Sequence, residues 1–103
     1  MKIIRSIAGI PIRLTTERFG HIAKRHPEMA DQQDRILETL GAPDYVQEGD
    51  SGTCIAVKSY PNTPLSQKSC AVVYRELNDV DGFVVTEYFT SRPAVWRRIL
   101  WKP

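Results

Sequence analysis

The chain has 103 residues, 42% hydrophobic and 25% charged, with a formal net charge of +2. That is the size of one domain with one core, so a single domain over 1–103 is expected, with a composition ordinary for a globular protein. No stretch approaches the roughly 18 apolar residues of a membrane span, and the small positive charge permits an anionic partner without demanding one.

In chain order, Met1–Ile10 carries an apolar run too short and too interrupted for a signal peptide, which gives the expectation of a cytoplasmic protein with no membrane association. Ile10-Pro11-Ile12-Arg13-Leu14 alternates as a short strand, with Pro11 at an edge or at the strand start because it cannot donate to a ladder. Thr15 and Thr16 are N-cap candidates and Glu17 suits a positive first turn. Phe19, Ile22 and Ala23 form one apolar stripe, and Pro27 stops this helix near Arg25 or His26. A second helix is expected from about 28 to 40, lined by Met29, Gln33, Ile36, Leu37 and Leu40. Gly41 is expected in the left-handed position that ends it, and Pro43 blocks continuation.

From Asp44 the apolar period changes from 3.6 to 2. Strands are expected at about 44–48, 53–60, 68–76 and 82–90, with turns at 49–52 and 78–82 and a Pro-rich loop at 61–67. Short turns between consecutive strands imply an antiparallel meander. The fold class read from the sequence is therefore α+β: two N-terminal helices packed on a four-stranded antiparallel sheet. Parity assigns Ile55, Val57, Val72, Tyr74, Phe83, Val85 and Phe89 to the face under the helices. The other face receives Lys58, Tyr60, Thr86, Tyr88 and Thr90, a set of cation, phenols and hydroxyls that reads as a working surface. Cys54 and Cys70 lie in apolar strand-like runs and read as buried free thiols acting as small hydrophobes; a disulfide would fit a secretory context.

The residue types exclude some chemistry. Two cysteines sixteen apart and two histidines five apart match no zinc-site spacing, no clustered carboxylates suggest magnesium, and no glycine-rich phosphate loop is present. No metal and no cofactor are expected. The histidines are the strongest clue. His21 lies about 160° around the helix from Phe19 and should face solvent, whereas His26 lies within about 20° of it, at about 100° per residue. His26 then reads either as a helix-capping residue favoured by the dipole or as a proton-transfer group held over the sheet.

Lys58, Lys68 and Arg75 are cations on strands. Arg75, at the end of a central strand, reads as a phosphate ligand or as the partner of Glu76 or Glu87. Tyr88-Phe89-Thr90-Ser91-Arg92-Pro93 ends the last strand with hydroxyls and a cation. Beyond it, four cations (Arg92, Arg97, Arg98 and Lys102) occur with no acid. Trp96, Ile99 and Leu100 fall at i, i+3, i+4 and read as packing residues, with Arg97 and Arg98 free to meet phosphates.

The segments His21-Ile22-Ala23-Lys24-Arg25-His26-Pro27-Glu28, Val73-Tyr74-Arg75-Glu76 and Tyr88-Phe89-Thr90-Ser91-Arg92-Pro93 resemble the phage-associated barnase-EndoU-colicin-RelE (PBECR) nuclease-fold proteins over about Ile12–Trp101. The resemblance implies a barnase/RelE-like fold and metal-independent RNA cleavage, toxin-like, with an antitoxin or immunity protein as a neutralising partner. It implies catalytic roles for His26, His21, Arg75, Tyr88 and Thr90. Lys58, Lys68, Arg92, Arg97 and Arg98 are expected to hold RNA. The physical reading agrees, because RNA carries its own nucleophile and needs only an acid, a base and cations around one phosphate. Two other readings stand beside it: a non-catalytic RNA- or protein-binding module, and a toxin-like domain that has become a scaffold.

Overall fold

A computed structural model of the chain describes residues 1–60 and 69–103. Lys68 and the expected loop at 61–67 lie outside the described residues. Two strands, β1 (Lys2–Arg5) and β2 (Pro11–Leu14), precede helix α1 (Thr16–Arg25). A turn of 3-10 helix (Pro27–Met29) leads to α2 (Gln33–Gly41). Then come β3 (Tyr45–Glu48), β4 (Cys54–Ser59), β5 (Ser69–Asn78), β6 (Asp81–Thr90) and β7 (Ile99–Trp101). Among the described residues the strands form one seven-stranded sheet of order β1-β2-β6-β5-β4-β3-β7, mixed because β2 runs parallel to β6.

The α+β class holds, but the four-stranded antiparallel sheet does not. The expected meander, β3 to β6, is the centre of a wider sheet. Of the three extra strands, β2 is the short strand expected at 10–14, now joined to the sheet, while β1 and β7, with four and three residues, are too short to impress a period of two on the sequence. Pro11 takes the first position of β2, opposite Arg5, where its missing N–H is tolerated. The spacing of Trp96, Ile99 and Leu100 is not helical: Ile99 and Leu100 are in β7, paired to β3, and both, with Trp96, are exposed.

Local chemistry sets the helix ends. Thr15 Oγ1 accepts from the Arg18 N–H at 3.0 Å. His26, the residue before proline, leaves helical geometry at φ −129°, ψ 78°, as that position requires. The second helix starts later than expected, at Gln33. Between Pro27 and Gln32 the Ala30 N–H bonds Pro27 O and the Gln32 N–H bonds Met29 O. These i→i+3 closures keep the segment out of α register while Met29 enters the core, fully buried. Gly41 is the last helical residue rather than a left-handed cap; its neighbour is Ile4, whose Cγ1 would lie 3.2 Å from a Cβ at that position.

The main core lies between the helices and one face of the sheet: Ile22, Met29, Ile36 and Leu40 meet Ala56, Val72, Tyr74, Val84 and Phe89. The expected faces need correction. Ile55 and Val57 belong to a second cluster with Ala71 on the opposite face, and Phe83, across from Arg75, is also on that side. Lys58 and Tyr60 lie on the helix side instead: Lys58 Nζ donates to the Ala42 carbonyl at 2.9 Å, and the Tyr60 hydroxyl donates to Glu38 at 2.6 Å. Ser91–Arg98 passes over the second face as a strap. Gln47 Nε2, buried, donates to Ala94 O at 2.8 Å, and Arg97 reaches Glu48 O and Asp50.

A carboxyl group sits in the main core. Glu87 is fully buried, accepts from Cys70 Sγ at 2.9 Å, and has Oε1 without a partner among the described residues. Burial, opposed by the Cys70 bond and the Arg35 guanidinium, pushes its carboxyl up to about 8 from the ordinary 4.5. The folded chain therefore keeps a proton that the unfolded chain has released, so stability should fall as pH rises from about 4.5 to about 8 and level off above. Glu87→Gln should flatten that interval. Thermal melts at pH 5 and pH 8 measure it, each kcal/mol appearing as about 4–8 °C for a domain of this size; an unchanged pH dependence in the variant would show that another group carries it.

Candidate functional site

The site is built where β2 leaves the sheet. Its pairing with β6 covers only Ile12↔Gly82 and Arg13↔Phe83, so among the described residues β6 beyond Phe83 has a free edge, and α1 packs beside it. A bulge lies in this stretch: Val73 pairs with Thr86 but Tyr74 with Val84. Val85 is the extra residue, and such an insertion turns neighbouring side chains out of strict alternation. Val85 and Thr86 consequently both face a cleft of about 460 Å³, whose other wall is α1 with Arg18, His21, Ile22, Arg25 and His26.

The α1 wall follows from spacing. Arg18, His21 and Arg25 fall at i, i+3, i+7 on one side of the helix, while Ile22 anchors the core. Arg18 and Arg25 are exposed and have no carboxylate within 4 Å among the described residues. His21 is exposed, with Nε2 3.9 Å from Glu17. His26 is half-buried; its Nδ1 lies 3.8 Å from Glu28 Oε2, and its ring is 6.4 Å from the Tyr88 ring, tilted by 37°. Two imidazoles and two guanidiniums thus line one cleft, a set able to hold an anion and to exchange protons with it. Among the described residues no three His, Cys, Asp or Glu side chains gather as a metal-ligand set.

The residues expected to act together are only partly gathered. His21 and His26 line the cleft and Tyr88 stands next to His26. Thr90 lies two residues beyond Tyr88, its Oγ1 accepting from the Arg92 N–H at 3.1 Å. Arg75 is elsewhere. It pairs across from Phe83, five residues from Tyr88 or about 16 Å along the strand at about 3.3 Å per residue, and donates to Ser51 O at 2.6 Å. It pairs with neither Glu76 nor Glu87.

Lys58, bound to the Ala42 carbonyl just after α2, is on β4, two strands in from the β6 edge. Arg97 and Arg98 are tied to Asp50 and Glu48 at 3.0 and 3.1 Å, and Arg97 stacks over Trp96 at 4.3 Å; both secure the strap. The Asp50 carboxyl is held below its ordinary range by Arg97.

Sequence reasoning missed Arg18 and Arg25. The signal was present in the i, i+3, i+7 placement of Arg18, His21 and Arg25 off the apolar stripe.

Comparison with family models, curated proteins and solved structures finds no match to this chain. The geometry therefore carries the functional argument. Arg18→Ala and Arg25→Ala should leave stability within about 0.5 kcal/mol, as exposed positions do. Each should weaken binding of a single-stranded oligonucleotide and reduce the log–log salt slope by roughly 0.7. Fluorescence anisotropy across a salt series checks this; unchanged slopes would place the anion elsewhere.

Proposed function

We propose that this chain is a metal-independent endoribonuclease acting in the cytoplasm, as the resemblance to the PBECR nuclease-fold proteins implies. The observation that supports it best is the convergence of His21, His26, Arg18 and Arg25 on the cleft beside Thr86. Cleavage through the 2′-hydroxyl needs a base at that oxygen, an acid at the leaving 5′-oxygen and cations around the phosphoryl oxygens.

His26 suits the base. It is the more enclosed imidazole, and Glu28 lies 3.8 Å from its Nδ1, which leaves Nε2 as the nitrogen to take the proton. His21, five residues earlier and about 7.5 Å away along the helix axis, suits the acid. The 2′-oxygen then forms a bond to phosphorus as its proton passes to His26, and the bond to the 5′-oxygen breaks as that oxygen takes a proton from His21. The products are a 2′,3′-cyclic phosphate and a 5′-hydroxyl. Arg18 and Arg25 face the charge on the phosphoryl oxygens, the role first given to Arg75. A neutralising antitoxin or immunity protein would have to mask this cationic cleft, which calls for an acidic surface.

The test is cleavage of a single-stranded RNA in EDTA. Cutting should persist, leave cyclic phosphate ends and fail at a 2′-deoxy nucleotide. The pH–rate profile should be bell-shaped, because one imidazole acts neutral and the other protonated. His26→Ala and His21→Ala should each lower kcat by about 100- to 10,000-fold. Arg75→Ala should act on stability and leave the rate nearly unchanged. Magnesium-dependent cutting with 3′-hydroxyl ends would exclude this mechanism, and inertness with tight binding would make the chain a binding module.

A further inference from the structure

A second hollow lies on the helix side of the sheet, at the end away from His26, where neither helix reaches. It measures about 340 Å³, at the lower end of the range typical for small-molecule sites. Its floor is the apolar sheet surface around Val46, Cys54 and Tyr74, and its walls are the β1–β2 turn (Ile7 and Ala8) and strand β7 (Leu100 and Trp101). Among the described residues the one charged group in the lining is Glu76.

Glu76 is placed rather than stray. The buried Ser6 hydroxyl donates to its Oε2 at 2.7 Å, while Ser6 Oγ accepts from the Ile10 N–H at 3.4 Å, so the hydroxyl proton is committed to the carboxylate. No ammonium, guanidinium or imidazole lies within 4 Å of Glu76 among the described residues. The hollow is electrically negative as well as apolar: the Cys54 thiol is held above its ordinary range first by burial and then by the Glu76 and Glu48 carboxylates. A half-buried carboxylate with no counter-ion among the described residues, set among aromatic and aliphatic side chains, is complementary to a cation with an apolar body. The carboxylate meets the charge, and the Tyr74 and Trp101 rings suit both the body and the cation.

We propose that this hollow binds a small organic ammonium compound carrying an aromatic or branched apolar group. The site is separate from the cationic cleft, and the proposal does not depend on the ribonuclease reading.

The full chain is titrated with 2-phenylethylammonium, with 2-phenylethanol and phenylacetate as neutral and anionic counterparts. Calorimetry measures affinity and NMR shifts locate the site. Saturable binding of the amine is expected, with shifts at Cys54, Tyr74 and Trp101. It should be at least about tenfold tighter than the alcohol, the scale of one charge-assisted hydrogen bond, and phenylacetate should not bind. Glu76→Gln should bring the amine down to the alcohol's affinity. Ala8→Trp, made at an exposed turn position, should fill the hollow and abolish binding even if the Glu76 variant fails to fold. Absence of saturation, equal affinity for amine and alcohol, shifts confined to the α1 cleft, or binding that survives Ala8→Trp would each overturn the proposal.

Discussion

The architecture turns on a two-residue parallel contact between β2 and β6. Gly82 permits it: a Cβ there would lie 2.6 Å from both Ile12 Cδ1 and the Arg75 carbonyl, so a side chain at this position forces the strands apart. Arg13 and Asp81 close the contact as a two-pronged ion pair at 2.7 and 3.0 Å, which holds the Asp81 carboxyl below its ordinary range. Because the pairing stops after Phe83, the chain can turn at Thr15 and lay α1 along the unpaired edge of β6. A longer ladder would have carried β2 past Val85 and Thr86 and left no cleft between helix and sheet.

Much of this was legible in the sequence, and the failures have local causes. The central strands and α1 were visible because each runs long enough to express its own period, and Pro27 marked the helix end. The facial assignment failed on phase. Tyr74 and Val72 were placed correctly, but Ile55 and Val57 are of opposite parity to them across the β4–β5 register, in which Ile55 faces Val73 and Val57 faces Ala71. Within β6 the bulge shifts the phase between Phe83 and Phe89, so a single parity cannot hold for both. Register and bulges are set by pairing partners, which the sequence of one strand does not contain.

The cations show a related limit. Arg97, Arg98 and Lys58 looked available because no acid stands next to them in the sequence, and Arg75, though followed by Glu76, pairs with no carboxylate among the described residues. The fold supplies those partners from distant segments: Ser51 for Arg75, Asp50 and Glu48 for the strap, Ala42 for Lys58. Conversely Arg18 and Arg25, plain surface residues by sequence, keep their guanidiniums free of carboxylates on one side of a helix that borders a strand edge. Availability of a charge is a property of the assembled surface. For that reason the paired cations are assigned to stability here and the unpaired ones to the site.

Element lengths account for why the two ends of the sheet differ. β5 and β6 have ten residues each, about 33 Å of strand at about 3.3 Å per residue. α1 and α2, with ten and nine residues, extend only about 15 Å each at about 1.5 Å per residue. Two such helices cannot cover the full sheet face. They gather toward one end, where the end of α1 and the following 3-10 turn place His26 and Glu28 beside Tyr88 and above the buried Glu87. That crowding brings polar groups close enough to act together, and it is there that the core accepts the Glu87 carboxyl. At the other end the apolar sheet surface has only the β1–β2 turn and the three residues of β7 to shelter it, and the hollow around Glu76 is what those short elements leave open.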